Sequence, residues 1–225
     1  MSRVLLEVCV DSLAGVRTAS EHGADRLELC SALELDGLTP SLGLLREARA
    51  ATDLPIFAML RPRAGEFCYD DREFRTLLAD LHVLLEEGVD GIVSGILMPD
   101  HSPDLTRMRE LLQLTGGKPL TFHRAFDLCP DPLLALDQLH DLGIARVLTS
   151  GGAPTALEGA SRIAACVQHI GTRLRILAGG GIEAATLPDL LRITGVREVH
   201  ASASTRVHGR RITDATQVAA LRATL

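Results

Sequence analysis

His22-Gly23-Ala24-Asp25-Arg26-Leu27-Glu28-Leu29-Cys30 is the stretch that decides the fold. A glycine-centred stop is followed at once by a short apolar run whose polar residues alternate. Glycine after a helix supplies the left-handed residue that ends it. Side chains in a strand alternate faces with period two, so Arg26, Glu28 and Cys30 share one face. The same punctuation recurs at Glu87-Gly88-Val89-Asp90, Leu142-Gly143-Ile144-Ala145 and Thr194-Gly195-Val196-Arg197. The predicted strands are 4–10, 26–30, 56–60, 91–94, 120–123, 146–149, 175–178 and 198–201. Between them lie helical spacings such as Leu77, Leu78, Leu81, Leu84 and Leu85. Pro40, Pro132 and Pro188 fall near expected helix starts, where a missing N–H costs little. Eight strand–helix units over residues 1–225 predict an α/β fold, a single-domain (β/α)8 TIM barrel. A doubly wound open sheet would also alternate strands and helices. Against it, no GxGxxG follows the first strand, and polar residues close nearly every strand.

Composition narrows the function classes. The 225 residues are 46% hydrophobic and 23% charged, which supports a sizeable core. A net charge of −6, 3% aromatics and no tryptophan argue against nucleic acid or a membrane surface as partner. Met1-Ser2-Arg3 runs straight into Val4-Leu5-Leu6 without a secretory apolar region. No apolar run approaches the ~18–20 residues of a membrane span. A cytoplasmic location is expected. The five cysteines, at 9, 30, 68, 129 and 166, are an odd number without a CxxC pair and are expected as free thiols.

Parity groups the polar residues. Glu7 and Cys9 share a face of the first strand; Glu198, His200 and Ser202 share one of the last. Arg61 and Arg63 follow the third strand, and Thr121 and His123 close the fifth. The outer face of a parallel barrel is covered by helices, so these groups are expected to point inward near the top. Arg26 with Glu7 or Glu198 reads equally as a satisfied ionic core layer. Gly179-Gly180-Gly181 after the seventh strand, Ser202 after the eighth and Ser150 after the sixth read as an anion-binding rim, where this fold usually holds phosphate. In Arg61-Pro62-Arg63 the guanidinium forks suit carboxylate or phosphate; the plainer reading is a loop paired with the acidic helix that follows. His123 reads as an acid or base beside Arg124, with Asp127 placed to orient either.

These stretches resemble the CutC family, the copper homeostasis proteins. The matching segments are Leu6-Glu7-Val8-Cys9, Gly23 to Cys30, Gly37-Leu38-Thr39-Pro40-Ser41, Arg61-Pro62-Arg63, Phe67-Cys68-Tyr69, Thr121 to Asp127, Leu148-Thr149-Ser150-Gly151 and Glu198-Val199-His200. They span nearly the whole chain. Asp36, Ala64 and Glu66 depart from the family pattern, and the tail after Ser204 lacks the acidic, His-containing extension of some relatives. The resemblance implies a cytoplasmic TIM barrel, a homodimer or higher homo-oligomer, and copper handling. Copper(I) prefers soft thiolate and thioether donors. Cys30 is the foremost candidate metal ligand and Cys9 the second, with Met59, Met98, Cys68 and Cys129 as further soft donors.

The residues themselves also support an enzyme of lyase or isomerase type acting on a small phosphorylated or carboxylated metabolite. In that reading Glu7, Glu28, His123 and His200 are the catalytic candidates. Glu28 or His123 moves a proton, and His200 polarises a carbonyl. Arg26, Arg61, Arg63, Arg124, Ser150, Gly179, Gly180 and Ser202 bind the anion. Fold alone does not choose between the two, because barrels host many chemistries.

Overall fold

The computed structural model describes residues 3–225; Met1 and Ser2 lie outside it. Eight parallel strands close into a barrel in sequence order: β1 (Leu5–Val10), β2 (Arg26–Leu29), β3 (Ile56–Met59), β4 (Gly91–Ser94), β5 (Leu120–Phe122), β6 (Arg146–Thr149), β7 (Arg175–Gly179) and β8 (Glu198–Ala201). Around them run α1 (Leu13–Glu21), α2 (Leu42–Ala51), α3 (Asp71–Glu86), α4 (Leu105–Leu114), α5 (Pro132–Leu142), α6 (Ala160–Ile170), α7 (Leu187–Thr194) and α8 (Ala215–Thr224). The expected (β/α)8 barrel is therefore the fold. No described helix is long and apolar enough to cross a membrane.

Local chemistry explains the element ends. Ser12, Ser41, Asp104, Asp131 and Asp214 each accept a hydrogen bond from a first-turn N–H of the helix they open. Asp70 and Glu73 complete a capping box at α3. Gly143 and Gly195 end α5 and α7 in the left-handed conformation, as the punctuation predicts.

Two features differ from expectation. His123 is not the last residue of β5. It leaves the strand to open a 3-10 turn, Arg124–Leu128, and its Nδ1 accepts from the Ala125 N–H at 3.2 Å. An unexpected hairpin, β9 (Ser204–Val207) and β10 (Arg210–Thr213), sits between β8 and α8. Its two-residue turn, His208-Gly209, has positive φ at both positions, which matches the right-handed twist of the strands. Strands this short and polar have little apolar alternation to reveal them.

The two strand faces part company as parity requires. Leu6, Val8, Leu27, Leu29, Ile56, Ala58 and Ile92 pack outward into the main core with the helices. The inward face is polar and layered. Arg26 pairs through Nε with Glu7 and through Nη2 with Glu198 at 2.7 Å. Arg146 reaches the same Glu198 carboxylate at 3.2 Å and Thr121 Oγ1 at 3.4 Å. Both guanidinium groups lie 4.8 Å from the Phe57 ring centre, one cation–π contact each. Glu7, Arg26 and Glu198 are all buried, so this layer fills the barrel beneath its C-terminal mouth.

Candidate functional site

Above the ionic layer the barrel opens into a cavity of about 640 Å³ at the C-terminal ends of the strands. Its lower wall is formed by Cys9 from β1, Glu28 from β2, Met59 from β3 and His200 from β8. The register sets Cys9 beside Glu28 and Glu7 beside His200. His200 Nδ1 lies 2.8 Å from Glu7 Oε1, and its Nε2 lies 3.7 Å from Glu28 Oε2. One ligand atom each from Cys9, Glu28 and His200 falls within 4.8 Å of the others.

Burial and charge set the protonation of this group. Burial alone would raise the Glu7 carboxyl, but Arg26 and His200 together lower it to about 2. Burial would likewise lower His200, yet Glu28 foremost, with Cys9 and Glu7, carries it well above the ordinary imidazole value. Burial pushes the Glu28 carboxyl up against the opposing pull of His200. The Cys30 thiol is pushed well up, first by burial and then by Glu28, whose Oε2 accepts from Sγ at 3.5 Å. Glu7 is thus an ionised strut that fixes the His200 ring, and Nε2 is the nitrogen presented to Glu28 and Cys9.

The opposite wall carries Arg61, Phe67 and His123. The Arg61 guanidinium donates to the carbonyls of Leu35 at 3.0 Å, Gly37 at 3.2 Å and Gly65 at 3.0 Å. Burial, reinforced by the neighbouring Arg61 charge, pulls His123 from 6.5 down to about 3. At neutral pH it is therefore a hydrogen-bonding imidazole rather than a titrating acid or base. A folded value below the unfolded one means that acid penalises folding. Between about pH 6.5 and 3 this one group is expected to remove up to about 1.4 kcal/mol of stability per pH unit. Urea unfolding across the upper part of that window checks it: His123→Phe should flatten the slope by that increment, and equal slopes would refute the assignment.

At the rim, Arg124 donates to Asp127 at 2.9 Å and to Ser150 Oγ at 2.8 Å. Asp127 also accepts from Thr149 Oγ1 and from the N–H groups of Ser150 and Gly152, both at 3.1 Å, and so orders the loop after β6. A Cβ on Gly180 would stand 3.1 Å from Ser150 Cβ and 3.6 Å from Arg124 Nη1, so glycine there admits the Arg124 side chain. Arg211 and Gln217 complete the mouth from the hairpin and α8. The hairpin is tied back by Glu34, which accepts from Arg206 Nη2 at 3.1 Å and from the Arg211 N–H at 3.0 Å.

Of the residues singled out in the sequence, Cys9, Glu28, Arg61, His123, Arg124, Gly180, His200 and Ser202 line the cavity. Glu7 and Arg26 lie in the ionic layer below it. Ser150 is fully buried behind Arg124, and Gly179 packs against Leu148 and His200. Cys30 is fully buried in a small cluster with Cys9, Leu33, Phe57, Met59 and Val93. Arg63 turns away from the cavity to Glu73 on α3, to Glu66 and to the Tyr69 ring. Sequence reasoning missed Arg146, Phe57, Phe67 and Arg211. A charge opening an otherwise apolar strand was the signal for Arg146; Arg211 carried none without the hairpin.

A model of the CutC family matches residues 4–205 of the chain. A CutC family protein of Caulobacter vibrioides (strain NA1000 / CB15N) is 46% identical over 200 residues, 89% of this chain and 81% of that protein. A crystal structure from Streptococcus agalactiae, named for copper homeostasis protein CutC, superposes with a TM-score of 0.84 at 33% identity over 88% of this chain and 98% of that one. N-(5'-phosphoribosyl)anthranilate isomerase from Pyrococcus furiosus shares the fold, with a TM-score of 0.60 at 15% identity over 99% of this chain and 98% of that one.

Proposed function

Since the chain belongs to the CutC family, we propose that it binds copper(I) at the lower wall of the cavity and serves copper homeostasis. The observation that carries this reading is the convergence of Cys9, Glu28 and His200 within 4.8 Å. A thiolate and the neutral imidazole that His200 becomes on releasing its proton are donors that copper(I) accepts, and a carboxylate completes the charge. Met59 lines the same wall, and Cys30 packs with Cys9 behind it, so three sulfur side chains from adjacent strands border one spot. Cys9 is the first ligand in this arrangement and Cys30 a reserve thiol. Five cysteines without a disulfide suit the reducing cytoplasm, where we place the protein. Leu133 and Leu134, exposed in the first turn of α5, support a homo-oligomer.

Anaerobic titration with Cu(I) against a competing chelator tests the reading. The protein is expected to outcompete a micromolar chelator, and Cys9→Ser to weaken binding at least about tenfold through loss of the soft donor. Micromolar affinity, or affinity unchanged in Cys9→Ser, would sink it.

A further inference from the structure

We infer that Arg61, His123 and Phe67 form a binding site for the carboxylate of a small organic acid, in the same cavity as the Cys9, Glu28 and His200 donors but independent of them. Arg61 is 4% exposed, and no carboxylate lies within ion-pair distance of it among the described residues. Backbone carbonyls of Leu35, Gly37 and Gly65 hold its Nη atoms, but neutral dipoles leave its charge uncompensated. Buried arginine is ordinarily paired. Its Nε is buried without a hydrogen-bond partner, and the Tyr69 hydroxyl beside the guanidinium is unpaired as well.

His123 presents a matching vacancy of hydrogen bonding. Its Nδ1 accepts from the Ala125 N–H, which assigns the ring proton to Nε2. That Nε2 is also buried and without a partner, and His123 is 4% exposed. The ring has no room to turn away: a Cβ on Gly95 would stand 2.6 Å from Nδ1, so only glycine fits behind it. Phe67 touches both groups, 4.9 Å below the Arg61 guanidinium and 4.8 Å from the imidazole centroid, and so fixes them side by side. Arg61 and His123 line one cavity, and each carries a buried donor without a partner, one on a cation and one on a neutral ring. Leaving such donors unmet is costly, so the wall is shaped for an acceptor. A carboxylate supplies one negative charge and two acceptor oxygens, which matches one buried cation and a second donor. Phosphate brings more charge than this wall offers, because Arg124 already serves Asp127 at the rim.

Metal-free protein should be titrated with pyruvate, glycolate and succinate, and separately with inorganic phosphate. Calorimetry gives the affinity, and long-range proton–nitrogen NMR follows the His123 ring in the native protein. At least one of the acids is expected to bind saturably and to shift the His123 Nε2 signal. Binding should weaken at least about tenfold in His123→Phe and in Arg61→Lys, each of which removes one donor or its fork geometry. It should persist in Cys9→Ser, which separates this site from the copper reading. The inference is overturned if no acid moves the Nε2 signal, if phosphate alone binds, or if His123→Phe retains the native affinity.

Discussion

Arg26→Met is expected to destabilise the barrel by about 3–5 kcal/mol, the cost of stripping the partner from buried charges. Arg26 holds Glu7 and Glu198 together inside the barrel, and both carboxylates are buried. Arg146 can still neutralise Glu198. Glu7 keeps only His200, so its carboxyl, now held at about 2, should rise. Its folded value lies below the ordinary 4.5, so the stability it contributes is present above 4.5 and lost as pH falls toward 2. In Arg26→Met that window should narrow from its acid end, so Glu7 should account for less loss of stability below 4.5. The exposed Arg192–Asp189 pair makes the control, since Arg192→Met should change little. Urea unfolding at neutral pH and at pH 4 measures all of this. A loss below about 1 kcal/mol for Arg26→Met would mean that the layer is not a charge-balanced unit.

Gly159→Ala is the second large effect, for a steric reason. A Cβ on Gly159 would lie 1.9 Å from Ser150 O and 3.0 Å from Gly151 Cα. A Cβ on Gly151, at φ +73°, would in return stand 2.4 Å from Gly159 O, so two backbone segments touch where no side chain fits. The start of α6 and the loop after β6 must separate to admit even a methyl. A loss of about 3–4 kcal/mol is expected, toward the upper end for single substitutions. Ser150 would shift with the loop and release Arg124 from the rim. Gly43→Ala, within α2 and with nothing near its Cβ, should instead be neutral or stabilising by up to about 1 kcal/mol. Thermal and urea unfolding of the pair decide it; similar stabilities for Gly159→Ala and Gly43→Ala would contradict the packing argument.

The barrel was legible because its signals are local and periodic. Glycine stops and short apolar runs located every barrel strand to within about two residues, the usual uncertainty of element ends. Parity along β1, β2 and β8 placed Glu7, Cys9, Arg26, Glu28 and His200 inside, since a strand gives alternate residues no other choice. What parity could not supply was height along the axis. Glu7 and Arg26 share faces with Cys9 and Glu28, yet only the latter two reach the cavity. Loops hid the rest. Arg61 and Arg63 are two residues apart and look alike in sequence, but one turns into the cavity and the other to Glu73, a choice made by Phe67 and α3. The role expected of His123 in proton transfer and that expected of His200 in polarising a carbonyl depend on neighbours distant in sequence. Arg61 faces the first and Glu28 the second, and these charges push the two imidazoles in opposite directions.

The layer of Glu7, Arg26, Arg146 and Glu198 around Phe57 also governs traffic. It turns the barrel into a blind well. Arrival and departure share one doorway, framed by Arg124, Arg211 and Gln217. A second molecule cannot push the first out from behind, so an occupant must either leave before its successor enters or be handed on at the threshold, face to face. Residence time then depends on the doorway, and the hairpin latched by Glu34 is the part of it that belongs to a sheet separate from the barrel.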